Sequence, residues 1–176
     1  MAIKTIFLDR DGVINHDEHY LYKIKEFKFF DGIFYACEHF QRLGYEIIIV
    51  TNQSGIARGY YKEKDYEKIT RWLINQFNKR NIKILDIFHC PHVPESNCDC
   101  RKPKPGMFFQ AKKKHDINMK KSWMIGDKET DIQAAIAAGI ILNTILINSS
   151  SQIEVKDSKA GYFIKSINDI SKIIID

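Results

Sequence analysis

The sequence predicts an α/β fold of the Rossmann-like type, a three-layer sandwich in which helices cover both faces of a central parallel sheet. Two observations predict this fold class. Short apolar runs alternate with amphipathic helical patterns along most of the 176 residues. Polar residues capable of chemistry follow directly after four of the apolar runs, and ligands of parallel sheets bind at the carboxyl ends of the strands.

The first half of the chain gives three strands and two helices. Residues 3–8 form an apolar run that stops at an aspartate and reads as a buried strand. A helical apolar stripe begins at Asp31-Gly32 and ends before Gly44, a typical stop residue. Residues 45–50, rich in isoleucine, form the second strand, and the amphipathic pattern over 62–80 predicts a long helix. Residues 82–88 form the third strand.

The second half continues the alternation. A segment rich in Cys, Pro and charge predicts a loop over 89–106. We expect 1–176 to form a single domain in which no large cap domain is present. The remaining predicted elements are a helix over 107–115, a strand over 122–125, a helix over 130–138, a strand over 140–147, a surface loop over 148–159, and a short strand with a terminal helix.

Composition and charge favour a protein that acts on a small anion. Lys and Arg number 27 against 22 Asp and Glu, which gives a net charge of +5. This excess is spread along the chain and lacks the clustered basic face typical of nucleic-acid binding. No apolar run reaches about 18 residues, and the N-terminus lacks the features of a signal peptide. We therefore expect binding neither to nucleic acid nor to membrane. The cysteines, which suggest a metal site before disulfides, favour a cytoplasmic setting, and we expect a monomer.

Two carboxylates follow the first strand. Asp9 and Asp11 lie two residues apart, so one can attack as a nucleophile while the other carries a proton for a leaving group. Gly12 lets the backbone turn sharply out of the strand. An ordinary Asp-Gly turn is the alternative interpretation of this motif alone.

Three further motifs follow later strands. Asp127 ends the fourth strand and can bind a hard cation such as Mg²⁺, or cap the next helix. Thr51, at the end of the second strand, offers a hydroxyl before free backbone N–H groups, an arrangement that suits either a phosphate or a turn. Lys102, in the loop before a helix, can neutralise a phosphoryl group in transfer. Each motif is weak alone.

The loop after the third strand contains a pattern of metal ligands. Cys90, His92, Cys98 and Cys100 form a Cys-x-His, five residues, Cys-x-Cys arrangement. Three thiolates and one imidazole suit a closed, tetrahedral structural Zn²⁺ site, which would fix the segment that carries Lys102. A metal-free loop with packed cysteines is the alternative.

Taken together, the motifs at Asp9, Asp11, Thr51, Lys102 and Asp127 resemble the haloacid dehalogenase (HAD) superfamily over nearly the whole chain. The resemblance implies a magnesium-dependent phosphoric monoester hydrolase in which Asp9 becomes an aspartyl phosphate. Asp11 would protonate the leaving alkoxide and then accept a proton from water. Thr51 and Lys102 would hold the phosphoryl oxygens. Mg²⁺ would be bound by Asp9, the backbone carbonyl of Asp11 and Asp127.

Within the zinc-bearing branch of this superfamily, the sequence resembles two groups. The run from Thr51 to Tyr60 is similar to the heptose 1,7-bisphosphate 7-phosphatases of bacterial ADP- or GDP-heptose biosynthesis. The five-residue gap between His92 and Cys98 is as short as the corresponding gap in the histidinol-phosphate phosphatases, which are the alternative function. Cationic groups beyond those needed for one phosphate favour a sugar bisphosphate. The expected substrate-binding residues are Asp17, Glu18, His19, Tyr20, Asn52, Gln53, Ser54, Arg58, Arg101 and Lys128.

Two other classes remain open at this point. One is a catalytically inactive module that binds zinc and a phosphate ester, which the intact acidic motifs disfavour. The other is a nucleic-acid 3′-end phosphatase, since related domains share a Thr-Asn-Gln loop. The dispersed charge and the zinc loop argue against it.

Overall fold

The computed structural model describes residues 2–147 and 157–175. The strands are β1 (Thr5–Leu8), β2 (Glu46–Asn52), β3 (Ile84–Cys90), β4 (Trp123–Gly126), β5 (Thr144–Ile147) and β6 (Tyr162–Ile164). They form one six-stranded sheet in the order β3-β2-β1-β4-β5-β6. Every neighbouring pair is parallel. The predicted Rossmann-like α/β fold class is thereby confirmed.

Helices cover both faces of this sheet: α1 (Ile33–Arg42), α2 (Glu63–Asn78), α3 (Gly106–His115) and α4 (Glu129–Ala137). Side chains of β1 alternate between the two faces, as the period of a strand requires. Ile6 and Leu8 pack into the core that contains α1, α2 and a terminal 3₁₀ helix, Ile167–Lys172. Phe7 packs on the opposite face with α3 and α4, and its ring centroid lies 4.9 Å from that of Phe108. Two buried cores on one sheet give the three layers.

The second and third strands run farther than predicted. β2 continues to Asn52 and β3 to Cys90, because Thr51 pairs with His89 and Asn52 with Cys90. The segment predicted as a zinc-binding loop over 89–106 therefore begins inside β3 and ends at the first residue of α3.

The C-terminal elements also differ from the prediction. β5 begins at Thr144 and not at residue 140, since Ile141 and Leu142 are 63% and 75% exposed and make no strand pair in the described structure. The terminal helix is the 3₁₀ helix, and the strand before it is β6. Residues 148–156 of the predicted surface loop lie outside the described residues.

The strand order places the motifs side by side. β1 lies between β2 and β4, so Leu8 is in register with both Ile49 and Ile125. The residues that follow these three strands meet at one edge of the sheet, where the strand order reverses. No helix in the described parts of the chain has both the length and the hydropathy needed to cross a membrane.

Candidate active site

A cavity of about 360 Å³ opens at the carboxyl ends of β1, β2 and β4. It collects side chains from the first, second and fourth strand ends and from the segment before α3. The lining residues are Asp9, Asp11, Asp17, His19, Tyr20, Thr51, Asn52, Gln53, Ser54, Tyr61, Arg101, Lys102, Lys128, Thr130 and Asp131.

Asp9 lies at the base of this cavity and is 6% exposed. Its Oδ1 accepts a hydrogen bond from the backbone N–H of Arg10 at 2.8 Å and faces Lys102 Nζ at 2.9 Å. No protein donor reaches its Oδ2 within residues 2–147 and 157–175. One oxygen of Asp9 is therefore held by the protein, and the other is available to a phosphorus atom or a cation.

Lys102 is buried and its three N–H donors all have partners. Nζ lies 2.9 Å from Asp9 Oδ1 and 2.6 Å from Asp131 Oδ1, and it donates to the carbonyl oxygen of Val50 at 2.8 Å. Asn52 holds the backbone of the same residue, because its Nδ2 donates to Lys102 O and its Oδ1 accepts from Lys102 N–H. The amide of Asn52, expected to bind substrate, thus uses its oxygen and one of its two hydrogens to place Lys102.

Asp127 offers a carboxylate that the protein leaves incompletely satisfied. Its Oδ1 is buried and has no hydrogen-bond partner in the described structure. A Cβ on Gly12, whose φ is +90°, would lie 2.1 Å from Asp127 Oδ2, so only glycine allows this approach. The carboxylates of Asp9, Asp127 and Asp131 have oxygens within 4.8 Å of one another. A buried, unpartnered carboxylate oxygen beside other carboxylates fits a hard divalent cation.

Asp131 contacts the start of α4 as well as Lys102. Its Oδ2 accepts from the backbone N–H of Lys128, which makes it the N3 residue of the capping box of α4. Both of its oxygens therefore have protein donors. Asp9 and Asp127 are better suited to hold a cation.

The ionisation of the cluster reflects its burial. Burial raises the pKa of Asp9 to about 8; Lys102 opposes this shift, and Asp131 and Asp127 add to it. Burial likewise raises the pKa of Asp127 to about 6, with a further contribution from Asp131. Burial lowers the pKa of Lys102, but the charges of Asp131 and Asp9 outweigh it, so the net pKa is raised. Lys128 also lies 3.7 Å from Asp127 Oδ2, but its side chain is half exposed, so it and Lys102 together leave the three carboxylates incompletely balanced, which again favours a bound cation.

Asp11 is held by a network on the other side of the cavity. Its Oδ1 accepts from Arg10 Nε at 3.1 Å and Asn15 Nδ2 at 2.9 Å, and its Oδ2 accepts from Arg10 Nη2 at 2.9 Å and Gln53 Nε2 at 3.0 Å. Arg10 is only 2% exposed, and its Nη2 also donates to the carbonyl of Leu21. These donors fix the rotation of the Asp11 carboxylate.

The four predicted zinc ligands form a compact cluster. Their ligand atoms lie within 4.8 Å of one another, and the Cys90, Cys98 and Cys100 thiols are free. The sulfur–sulfur distances are 3.1, 3.5 and 3.6 Å, and His92 Nδ1 lies 3.3 Å from Cys100 Sγ. A tetrahedral site with metal–sulfur bonds of about 2.3 Å has sulfur–sulfur edges of about 3.8 Å. The donor set therefore fits Zn²⁺, and the sulfur atoms lie about 0.2–0.7 Å closer together than in such a site.

Most of the predicted substrate-binding residues line the cavity, and two do not. Arg101 is oriented by a hydrogen bond from its Nη1 to His92 O at 3.1 Å, and Lys128 Nζ lies 3.2 Å from Asp17 Oδ2. Glu18 lies outside the cavity, 3.8 Å from Lys28, and Arg58 is exposed and also outside it. Substrate contact by Glu18 and Arg58 remains a prediction that this arrangement does not support.

Several residues of the site were not assigned from the sequence. Arg10 lies inside the first motif, but a charged residue gives no sign that it will be buried. Asn15 and Tyr61 reach the network from loops at no characteristic spacing. Asp131 belongs to a recognised motif, and the capping-box position was the available signal for its orientation.

Comparison with known proteins gives three related results. Residues 99–170 match the HAD-hydrolase-like family model. The Campylobacter jejuni protein named D-glycero-alpha-D-manno-heptose-1,7-bisphosphate 7-phosphatase is 46% identical over 174 residues, 99% of this chain and 95% of that protein. The Helicobacter pylori protein named D-glycero-beta-D-manno-heptose-1,7-bisphosphate 7-phosphatase is 44% identical over 162 residues, 89% of this chain and 94% of that protein.

A solved structure supports the same relationship. The crystal structure of D,D-heptose 1,7-bisphosphate phosphatase from B. bronchiseptica, complexed with magnesium and phosphate, has a TM-score of 0.82 and 26% identity to this chain. The match covers 97% of each chain. The likeness therefore extends over the whole sheet and both helical layers.

Proposed function

Because the chain belongs to the family of HAD-like hydrolases that contains the heptose-1,7-bisphosphate 7-phosphatases, we propose that it hydrolyses the 7-phosphate of a D-glycero-D-manno-heptose 1,7-bisphosphate. One observation carries the proposal: Asp9, with one free carboxylate oxygen, lines the cavity together with Lys102, and a carboxylate oxygen of the unsatisfied Asp127 lies within 4.8 Å of one of Asp9. This is the set of groups that a carboxylate nucleophile needs in order to approach a phosphate dianion.

The reaction proceeds in two steps. Oδ2 of Asp9 attacks phosphorus, an Asp9–phosphorus bond forms, and the bond from phosphorus to the sugar oxygen breaks. The leaving oxygen keeps the electron pair of the broken bond and accepts a proton from Asp11. A water molecule then attacks phosphorus and gives a proton to Asp11. The Asp9–phosphorus bond breaks, its electron pair returns to Asp9 Oδ2, and inorganic phosphate is released. In this structure the Asp11 carboxylate accepts hydrogen bonds from four N–H groups, which suits its role as an ionised base in the second step. To act as an acid in the first step, Asp11 must carry a proton, and that proton takes the place of one of these four hydrogen bonds.

Charge balance is shared between the protein and a cation. Mg²⁺ would be held by the carboxylates of Asp9 and Asp127 and by the backbone carbonyl of Asp11, and it would supply positive charge against the phosphate. Lys102 contributes a fixed charge, since its donors are already committed to Asp9, Asp131 and Val50 O. Its main effect is to orient and stabilise ionised Asp9, and its charge acts on the phosphoryl group from close by.

The second phosphate of the substrate is assigned to the rim of the cavity. Arg101 lines the cavity on the side of the Cys/His cluster, and Lys128 lines it at the start of α4. An arginine fork suits a phosphate that is bound but not transferred. This feature favours a bisphosphate over histidinol phosphate, which has one phosphate group.

The proposal includes a structural Zn²⁺ on Cys90, His92, Cys98 and Cys100. Four protein ligands leave no open position, so this metal would hold the loop and would take no part in the chemistry. It would fix the carbonyl of His92, to which Arg101 donates. Thiols kept for a metal also agree with the proposed cytoplasmic location, a reducing compartment. We further propose a monomer.

The test is phosphate release from both anomers of the heptose 1,7-bisphosphate, with histidinol phosphate as the comparison. Relatives named for the alpha and the beta anomer are both similar to this chain, so both anomers are assayed. We expect Mg²⁺-dependent release of one phosphate from the heptose substrate, and none from the Asp9→Asn variant. A higher kcat/KM for histidinol phosphate would overturn the substrate, and full activity of Asp9→Asn would overturn the mechanism.

A further inference from the structure

Gln53 is buried directly behind the reacting groups. It is 3% exposed, and its Nε2 donates to Thr51 Oγ1 at 2.9 Å and to Asp11 Oδ2 at 3.0 Å. An amide nitrogen carries two hydrogens, so both are used within the protein. Gln53 therefore has no donor to offer a substrate, although it was expected to bind one.

The orientation of this amide is set from behind. Its Oε1 accepts a hydrogen bond from the hydroxyl of Tyr61 at 2.5 Å and a longer one from Arg10 Nη2 at 3.4 Å. A flipped amide would turn its oxygen towards the Asp11 carboxylate and its hydrogens towards a guanidinium. Tyr61 is 4% exposed, so water does not readily replace its hydroxyl as the donor. The network permits one orientation.

This orientation decides what Thr51 can do. A hydroxyl has one proton to donate and lone pairs to accept with. Because Oγ1 accepts from Gln53, and has no other protein partner in the described structure, its own proton is free. Thr51 lines the cavity beside Asp9, so that proton is available to a phosphoryl oxygen.

We propose that Gln53 is a positioning residue that makes Thr51 a hydrogen-bond donor and fixes the Asp11 carboxylate, and that Tyr61 holds Gln53 in the required orientation. The proposal rests on the phosphatase function proposed above and specifies how two of its reacting groups are held. Neither Gln53 nor Tyr61 is required to touch the substrate.

The test separates this role from substrate contact. Gln53→Glu keeps the size of the side chain but removes both donors. The new carboxylate would accept the hydrogen bond of the Thr51 hydroxyl, which is then not available to a phosphoryl oxygen, and its charge would repel the Asp11 carboxylate. Tyr61→Phe removes only the hydroxyl that orients the amide. We expect kcat for the sugar bisphosphate to fall at least about tenfold in Gln53→Glu and several-fold in Tyr61→Phe, with KM within about twofold of the parental value.

A second readout uses the leaving group. p-Nitrophenol leaves without a proton, so p-nitrophenyl phosphate depends little on Asp11 as an acid. We expect Tyr61→Phe to lose less activity on this ester than on the sugar bisphosphate. A merely structural role would lower both activities alike.

Tyr22→Phe is the matched control, because its ring stacks on Tyr61 with centroids 5.2 Å apart while its hydroxyl makes no contact with Gln53 in the described structure. It should retain parental kinetics, and urea unfolding checks the fold of each variant. A raised KM with unchanged kcat in both test variants would overturn the proposal and return Gln53 to substrate binding. Unchanged kinetics in both would also overturn it. Absence of phosphate release by the parental protein would instead refute the proposed function.

Discussion

Gly12→Ala is expected to displace Asp127 and weaken the cation site. The new Cβ would lie 2.1 Å from Asp127 Oδ2, whereas ordinary contact begins at 3.4 Å, so the carboxylate must move by 3.4 − 2.1 = 1.3 Å. The positive φ of +90° adds conformational strain of about 1–2 kcal/mol. Since a misplacement of about 1 Å can cost about 10²-fold in rate, we expect kcat/KM to fall by about that factor. The Mg²⁺ concentration needed for half-maximal activity should rise.

Gly59→Ala is the matched control for this variant. Gly59 also has a positive φ, +74°, but an added Cβ there meets nothing within 4 Å. It should show the strain alone, as a loss of stability of about 1–2 kcal/mol in urea unfolding with an unchanged Mg²⁺ requirement. If Gly12→Ala kept the parental rate and Mg²⁺ dependence, the close approach of Asp127 to Gly12 would be refuted.

Three further predictions concern charge and metal. Lys102→Met leaves the buried carboxylates of Asp9 and Asp131 without their cation, so we expect almost no phosphate release and a free energy of unfolding lower by about 3–5 kcal/mol, measured by urea denaturation. Cys98→Ser removes one zinc ligand, so metal analysis should find less than one zinc per chain, with a lower Tm and reduced activity. At Asp86 burial raises the pKa, but hydrogen bonds from His115 and Lys114 lower it more, so the net pKa is lowered. Asp86→Asn should therefore cost up to about 1 kcal/mol at pH 7, and this difference should vanish as pH falls through the lowered pKa, as followed by urea unfolding at several pH values.

Each of these has a contradicting result. A stable and active Lys102→Met would mean that the ammonium does not compensate the acidic cluster. An unchanged zinc content and Tm in Cys98→Ser would exclude the four-ligand site. Cys37→Ala removes a cysteine from the core, away from the cluster, and serves as the control for zinc content, which it should leave unchanged. A stability difference at Asp86 that persists at acid pH would exclude the ionised carboxylate as its source.

The sequence predicted where the motif residues meet, because fold topology requires little more than their positions along the chain. In a parallel sheet, residues that follow neighbouring strands must meet, so Asp9, Thr51 and Asp127 come together once the strands are recognised. The meeting of Cys90, His92, Cys98 and Cys100 was predictable for a similar reason, since ligand type and spacing are the signals of a metal-binding cluster.

The roles of the supporting residues were not predictable in this way. Asn52 and Gln53 follow Thr51 as two polar side chains, and nothing in their identity says that one holds the backbone of Lys102 and the other the carboxylate of Asp11. Those roles depend on side-chain direction at the end of β2. Hydrophobicity also misplaced the start of β5, because Ile141 and Leu142 are apolar but exposed in the turn before it.

The covalent role of Asp9 is tested most directly by acid quenching of a single turnover with phosphate-labelled heptose bisphosphate. Peptide mapping of the quenched protein should find the label as an acyl phosphate on Asp9, in amounts that rise and then decay as inorganic phosphate appears. Label on any other residue, or phosphate release without labelled protein at any time, would contradict the account.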